Sequence, residues 1–192
     1  MIGVFDSGLG GISVLNALRK KFPKSDYLYF GDTARVPYGT RSEAIIRQYC
    51  AEGVDYLKTQ GIDLIVVACN TATAVALDIF EASGLPIVNV IDPTVLHVKQ
   101  SGWKRVAVIG TAATVNSHVY AKKLQEVGVP IMQEVACSLF VPLVEEGFEK
   151  HEAAYLIAQK YLMPLAGKGL DALILGCTHY PFLEPVISRV LG

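Results

Sequence analysis

The sequence predicts an α/β protein made of two pseudo-symmetric halves, each built on a parallel sheet. Three observations predict it. Short apolar runs rich in β-branched residues, such as Leu64-Ile65-Val66-Val67, have the length and composition of buried parallel strands. Between them lie longer segments with helical spacing of apolar residues, giving repeated strand–helix–strand order. Finally, two cysteine motifs, Ala68-Cys69-Asn70-Thr71 and Gly176-Cys177-Thr178-His179-Tyr180, each follow directly on such a run. Both thiols therefore fall just past the carboxyl end of a strand, where open α/β sheets place their ligand sites.

The elements follow in order. Residues 2–6 read as a strand, and 11–22 as a helix with Ile12, Leu15, Leu18 and Phe22 on one face. A strand over 27–30 leads to a loop over 31–40. A helix over 42–58 is expected to bury Ile45, Tyr49, Val54 and Leu57. The strand 64–67, a helix over 71–82 and a strand over 87–90 close the first half. Asp92-Pro93 reads as a helix start, with Asp as N-cap and Pro in the first turn. In the second half, strands are expected over 106–109, 131–135 and 172–175. Helices are expected near 115–127, 139–146 and 151–165.

A faint internal repeat supports the division. Val4-Phe5-Asp6-Ser7 and Val108-Ile109-Gly110-Thr111 both end a first strand in a small hydroxyl residue, and Ser7 precedes Cys69 by nearly the separation at which Thr111 precedes Cys177. The expected domains are therefore 1–92, carrying Asp6 and Cys69, and 93–192, carrying Thr111 and Cys177. Two-fold related halves would place the thiols on opposite sides of a cleft.

Composition narrows the function classes. Of 192 residues, 52% are hydrophobic and 18% charged, which favours a large buried core over disorder. A net charge of −1 gives no footprint for nucleic acid or a membrane surface. No run reaches the length of a bilayer span, and Met1-Ile2-Gly3-Val4-Phe5-Asp6 lacks the basic start of a signal peptide, so a cytoplasmic location is expected. The four cysteines, at 50, 69, 137 and 177, form no CxxC pair, so no metal site and free thiols are expected.

Opposed thiols suit one chemistry above others. A lone nucleophilic cysteine leaves its twin unexplained. Two-base proton transfer uses both: one thiolate removes a proton from one face of a carbon and the other thiol returns one to the opposite face, inverting the centre. A free thiol has a pKa of about 8.5, so the base form needs help from neighbours. Asp6 and His179 are suitable titrating neighbours, one at each half's site.

At these residues the chain resembles the glutamate racemase family. The matching motifs, in order, are Phe5-Asp6-Ser7-Gly8-Leu9-Gly10-Gly11, Val36-Pro37-Tyr38-Gly39, Ala68-Cys69-Asn70-Thr71-Ala72-Thr73, Ile109-Gly110-Thr111 with Thr114, and Gly176-Cys177-Thr178-His179-Tyr180-Pro181. The resemblance implies cofactor-independent interconversion of L- and D-glutamate, supplying D-glutamate for peptidoglycan, with no metal and with a homodimer among the expected assemblies. It implies that Cys69 and Cys177 are the acid/base thiols, assisted by Asp6 and His179 respectively. Ser7, Asn70, Thr71, Thr111 and Thr178 would hold the ammonium and α-carboxylate, with Thr114 beside them. Pro37, Tyr38 and Gly39 would frame the side-chain carboxylate, which the Tyr38 and Gly39 N–H groups would bind. Glu145, after Phe140-Val141-Pro142-Leu143, falls where the family has an acidic residue near the second thiol. The family continues beyond the position matching Gly192 with a further strand and helices, so carboxyl-terminal elements are expected to be missing.

Plainer readings stay open at this point. Cys50 and Cys137 read as core. Asp6 could cap the first helix, Thr111 and Thr114 could be a cap and its neighbour, Tyr38 could be a packed loop aromatic, and His179 could be solvated. Gly8-Leu9-Gly10-Gly11 lacks the GxGxxG spacing of a dinucleotide site and is expected to serve a tight turn and close approach. Two other functions also remain: racemisation of aspartate or a related amino acid, and a non-catalytic glutamate-binding or regulatory protein that keeps the pocket. Thr178-His179-Tyr180 favours glutamate over aspartate.

Overall fold

The computed structural model describes residues 1–192. In the first half, β1 (Ile2–Asp6) lies between β2 (Tyr27–Gly31) and β3 (Leu64–Val67), with β4 (Ile87–Asn89) outside β3, all parallel. In the second, β5 (Val106–Gly110) lies between β6 (Ile131–Ala136) and β7 (Ala172–Gly176), again parallel. Each chain path runs from its first strand to one neighbour and then crosses to the other side. Both sheets therefore have a topological switch beside their first strand, and such switches open a crevice at the carboxyl ends. Register fixes what meets there. Phe5 pairs with Val67, bringing Asp6 and Ala68 to one level, and Gly110 pairs with Gly176, doing the same for Thr111 and Cys177.

Strand alternation sends successive side chains to opposite faces. Phe5, Ile65 and Val67 pack under α2 (Glu43–Thr59) and α3 (Asn70–Glu81), whereas Val4, Val66 and Ala68 face α1 (Ile12–Lys21). The Phe5 ring stacks on Phe30 at 5.3 Å and meets Phe80 edge-on at 4.9 Å. Each such buried ring contributes about 1.5–3 kcal/mol. In the second half, Ala107 and Ile109 pack against α7 (Phe140–Glu145) and α8 (Glu152–Leu162). Val106, Val108 and Ile174 pack against α4 (Ile91–Ser101) and α6 (Val119–Glu126). No helix is long and apolar enough to cross a membrane.

Four sequence expectations need correction. Along α2 the buried face is Ile46, Cys50, Gly53, Val54 and Leu57; Ile45 is exposed, and Tyr49 is half-buried against Tyr38 and Arg35. Asp92 is not an N-cap: the side-chain oxygen of Asn89 accepts from the N–H groups of Ile91 and Asp92, so α4 begins earlier. The expected helix 115–127 is two helices, α5 (Ala112–Ser117) and α6, broken at His118, whose left-handed φ of 55° ends the first. Residues 38–40 of the expected loop form a 3-10 turn, Tyr38–Thr40. Beyond Cys177, where no element is read from the sequence, a 3-10 turn, Tyr180–Leu183, runs into α9 (Glu184–Leu191). Leu183 and Ile187 from these segments complete the second core.

Candidate functional site

Cys69 lies two residues past β3 and is the N-cap of α3, so its sulfur sits at the positive end of a helix dipole. Its Sγ accepts from Ala72 N–H at 3.4 Å and lies 3.4 Å from Ser7 Oγ. Burial and the neighbouring Asp6 charge push the thiol up to about 11, against the lowering effect of those hydrogen bonds. Cys177 follows β7, with His179 Nδ1 at 3.8 Å from its Sγ. Burial, and then the negative groups Cys69 and Asp6, raise its pKa strongly, opposed by the backbone N–H groups of His179 and Tyr180. Burial thus holds both thiols in the protonated form, and hydrogen bonds to each sulfur work against it. Cys50 and Cys137 are fully buried core residues, as expected for cysteines outside the two motifs.

Both thiols line one small cavity, shared with Ser7, Pro37, Tyr38, Gly39, Asn70, Thr71, Thr111, Val141, Thr178 and His179. Its volume, about 10 Å³, leaves room for roughly one water. Any larger ligand requires the halves to part. The seam they part along is built from hydroxyls and amides. Thr71 Oγ1 and Thr111 Oγ1 are 2.8 Å apart, Thr114 Oγ1 lies 3.0 Å from Thr111, and Tyr120 Oη donates to Asn70 Oδ1 at 2.6 Å.

Three of the expected residues stand behind the cavity wall. Asp6 is fully buried; its Oδ2 accepts from the Gly8 and Gly11 N–H groups at 3.1 Å each, and Oδ1 accepts from Thr178 Oγ1 at 3.3 Å. Asp6 thus ties the loop before α1 to the second half, and burial raises its pKa despite those bonds and the attraction of His179. Glu145 closes α7 with Oε1 2.5 Å from His179 Nε2. His179 is buried rather than solvated. Thr114 backs Thr111, whose hydroxyl caps α5 by accepting from Thr114 N–H at 3.3 Å, so these two threonines are a helix cap as well as part of the seam.

The glycines permit close approach. A Cβ on Gly10 would fall 2.5 Å from Thr178 Oγ1 and 2.7 Å from His179 Nδ1, and one on Gly39 would fall 2.5 Å from Thr111 Cγ2. The 3-10 turn starting at Tyr38 leaves its first N–H groups without acceptors inside the turn, and Tyr38 and Gly39 both face the cavity. A network missed in the sequence holds this turn. Tyr38 Oη donates to buried Asp32 at 2.5 Å, and Arg35 Nε reaches the same carboxylate at 2.6 Å. A charged residue directly after an apolar strand was a readable sign of Asp32. Val141, inside an apolar helical stretch, carried none. No three His, Cys, Asp or Glu side chains converge as a metal ligand set.

The chain as a whole has counterparts among known proteins. The profile of the Asp/Glu/Hydantoin racemase family matches residues 11–192. A glutamate racemase from Aquifex pyrophilus is 49% identical over 193 residues, covering 100% of this chain and 75% of that protein. One from Thermus thermophilus is 49% identical over 191 residues, covering 99% of this chain and 71% of its own length. Among solved structures, glutamate racemase from Francisella tularensis in complex with D-glutamate superposes with a TM-score of 0.93 at 40% identity, covering 99% of this chain and 73% of that one.

Proposed function

The chain belongs to the Asp/Glu/Hydantoin racemase family, and on that premise we propose that it interconverts L- and D-glutamate by proton transfer between two cysteines. The observation that carries this reading is the pair of buried thiols, one from each half, lining a single cavity. In one direction the Cys69 thiolate takes the α-proton and Cys177 S–H delivers another to the opposite face; in the other direction the roles reverse. The electron pair released at Cα spreads into the α-carboxylate, so donors aimed at that group stabilise the transition state. Asn70, Thr71, Thr111, Thr178 and Ser7 are placed to supply donors and to hold the ammonium. The Tyr38 and Gly39 N–H groups suit the distal carboxylate.

Asp6 adjusts Cys69 from behind the wall and His179 adjusts Cys177 from the cavity's edge, while Glu145 orients His179 by holding Nε2. Closure of the halves over the ligand excludes water and strengthens each of these contacts. The product D-glutamate would serve cell-wall synthesis.

Incubating the protein with L-glutamate in D₂O tests the reading. Optical rotation should decay to zero while deuterium enters Cα of the product, followed by NMR. Folded protein that produces neither change rejects it.

Gly39 offers a second check. Gly39→Ala would drive a methyl into Thr111, and overpacking of this kind costs about 1–3 kcal/mol. The clash lies across the contact that closes the halves, so kcat/KM for glutamate should fall about 100-fold, and thermal stability should fall modestly with it. Unchanged kinetics would mean that closure onto Thr111 is not part of the cycle.

A further inference from the structure

Tyr120 lies outside the inter-thiol cavity, yet it touches the chain beside both cysteines. It sits in the first turn of α6, directly after the left-handed break at His118. Its hydroxyl donates to Oδ1 of Asn70, the residue after Cys69, at 2.6 Å. Its ring lies against Gly176, the residue before Cys177, where a Cβ would come within 3.2 Å of Tyr120 Cε2. Both Asn70 and Tyr120 also line a second pocket of about 290 Å³, with Cys177, Thr94 and Pro93. Asn70 thus lines both pockets, and Tyr120, which lines only the second, holds its oxygen.

We infer that Tyr120 is a positioning residue: from the second half it holds the Asn70 amide with Nδ2 turned into the inter-thiol cavity, so that Asn70 becomes a fixed donor only when the halves are closed. The chemistry follows from the hydrogen-bond inventory. A side-chain amide offers one acceptor oxygen and one donor nitrogen. With the oxygen engaged by Tyr120, only the nitrogen is presented, which suits a carboxylate and not an ammonium. Burial raises the phenol's pKa, so it stays a protonated donor at all working pH values. Negative charge grows on the α-carboxylate as the proton leaves Cα, so a donor held there binds the transition state more tightly than the ground state. The effect therefore falls on kcat more than on KM. This inference rests on the proposed glutamate racemisation for its kinetic side, whereas the orientation of Asn70 is a property of the protein alone.

Tyr120→Phe removes the hydroxyl and keeps the ring, a nearly volume-conserving change. Kinetics and NMR then test separate parts. In racemisation assays the variant should lose about tenfold in kcat with KM nearly unchanged. In an Asn70→Ala background the same substitution should cost nothing more, because its route of action is already gone. Independently of any activity, the Asn70 side-chain amide resonances should show greater mobility in Tyr120→Phe than in the native protein. A full additional loss in the Asn70→Ala background, or native kcat in the single variant, overturns the inference. So does an Asn70 amide equally rigid in both proteins. If the native protein does not racemise glutamate, the racemase reading fails, and the amide measurement still decides on Tyr120.

Discussion

Cys69→Ser and Cys177→Ser are each expected to lower racemisation of glutamate by at least about 1,000-fold, roughly 4 kcal/mol of barrier, without unfolding the protein. Serine is close to isosteric with cysteine, and both sites sit in preformed loops at strand ends. What changes is acidity. Burial already pushes Cys69 up to about 11 and Cys177 further, and a hydroxyl in the same place ionises far less readily than a thiol. Each variant therefore loses one of the two proton-transfer groups and keeps the other. Inversion needs both, whereas exchange of the α-proton on one face needs only the surviving thiol. Each variant should accordingly wash deuterium from D₂O into one enantiomer only, and the two variants should select opposite enantiomers. Proton NMR of recovered L- and D-glutamate reads this directly. Near-native turnover in either variant would remove the two-thiol mechanism, and identical enantiomer selection in both would show that the thiols do not stand on opposite faces.

The two thiols were legible in the sequence because a parallel sheet forces its loops to one end, so an apolar run followed by cysteine already locates the sulfur. The helix faces were less legible. On α2 the choice of Ile45 and Tyr49 over Ile46 and Cys50 is an error of one residue, about 100° of rotation. A helix with apolar residues at both 45 and 46 does not resolve that angle by periodicity. His118 was unreadable as a break for a different reason: its left-handed backbone is imposed where α6 turns to pack on β5 and β7, and nothing in Asn116-Ser117-His118-Val119 announces a stop. Asn89 hid behind Asp92-Pro93, the more familiar helix start. Asp32 and Tyr120 act on Tyr38 and Asn70 through contacts that exist only after the chain has folded.

Asp6 faces a conflict that its replacement would expose. Asp6→Asn is expected to lower kcat for racemisation about 100-fold and to raise thermal stability at neutral pH. The amide keeps one oxygen to accept from Gly8 and Gly11 N–H, and its nitrogen can donate to Thr178 Oγ1, so the loop before α1 retains its anchor. The charge is lost. Burial raises the Asp6 pKa above the ordinary value of an aspartate in the folded protein, so between the ordinary and the raised value the native state binds more protons than the unfolded chain. Stability then declines as pH rises through that window, and a neutral amide escapes the decline. The melting-temperature advantage of Asp6→Asn should therefore grow as pH rises above the ordinary carboxylate range. The same substitution changes Cys69. The Asp6 charge is the second contribution, after burial, to raising that thiol to about 11, so its removal lowers the Cys69 pKa. The rise of kcat/KM with pH that accompanies thiolate formation should shift to lower pH even as kcat falls. Loss of activity with loss of stability and an unmoved pH profile would make Asp6 a loop anchor alone. Loss of activity with gained stability and a shifted profile would identify it as a charge held in the fold for its effect on the thiol.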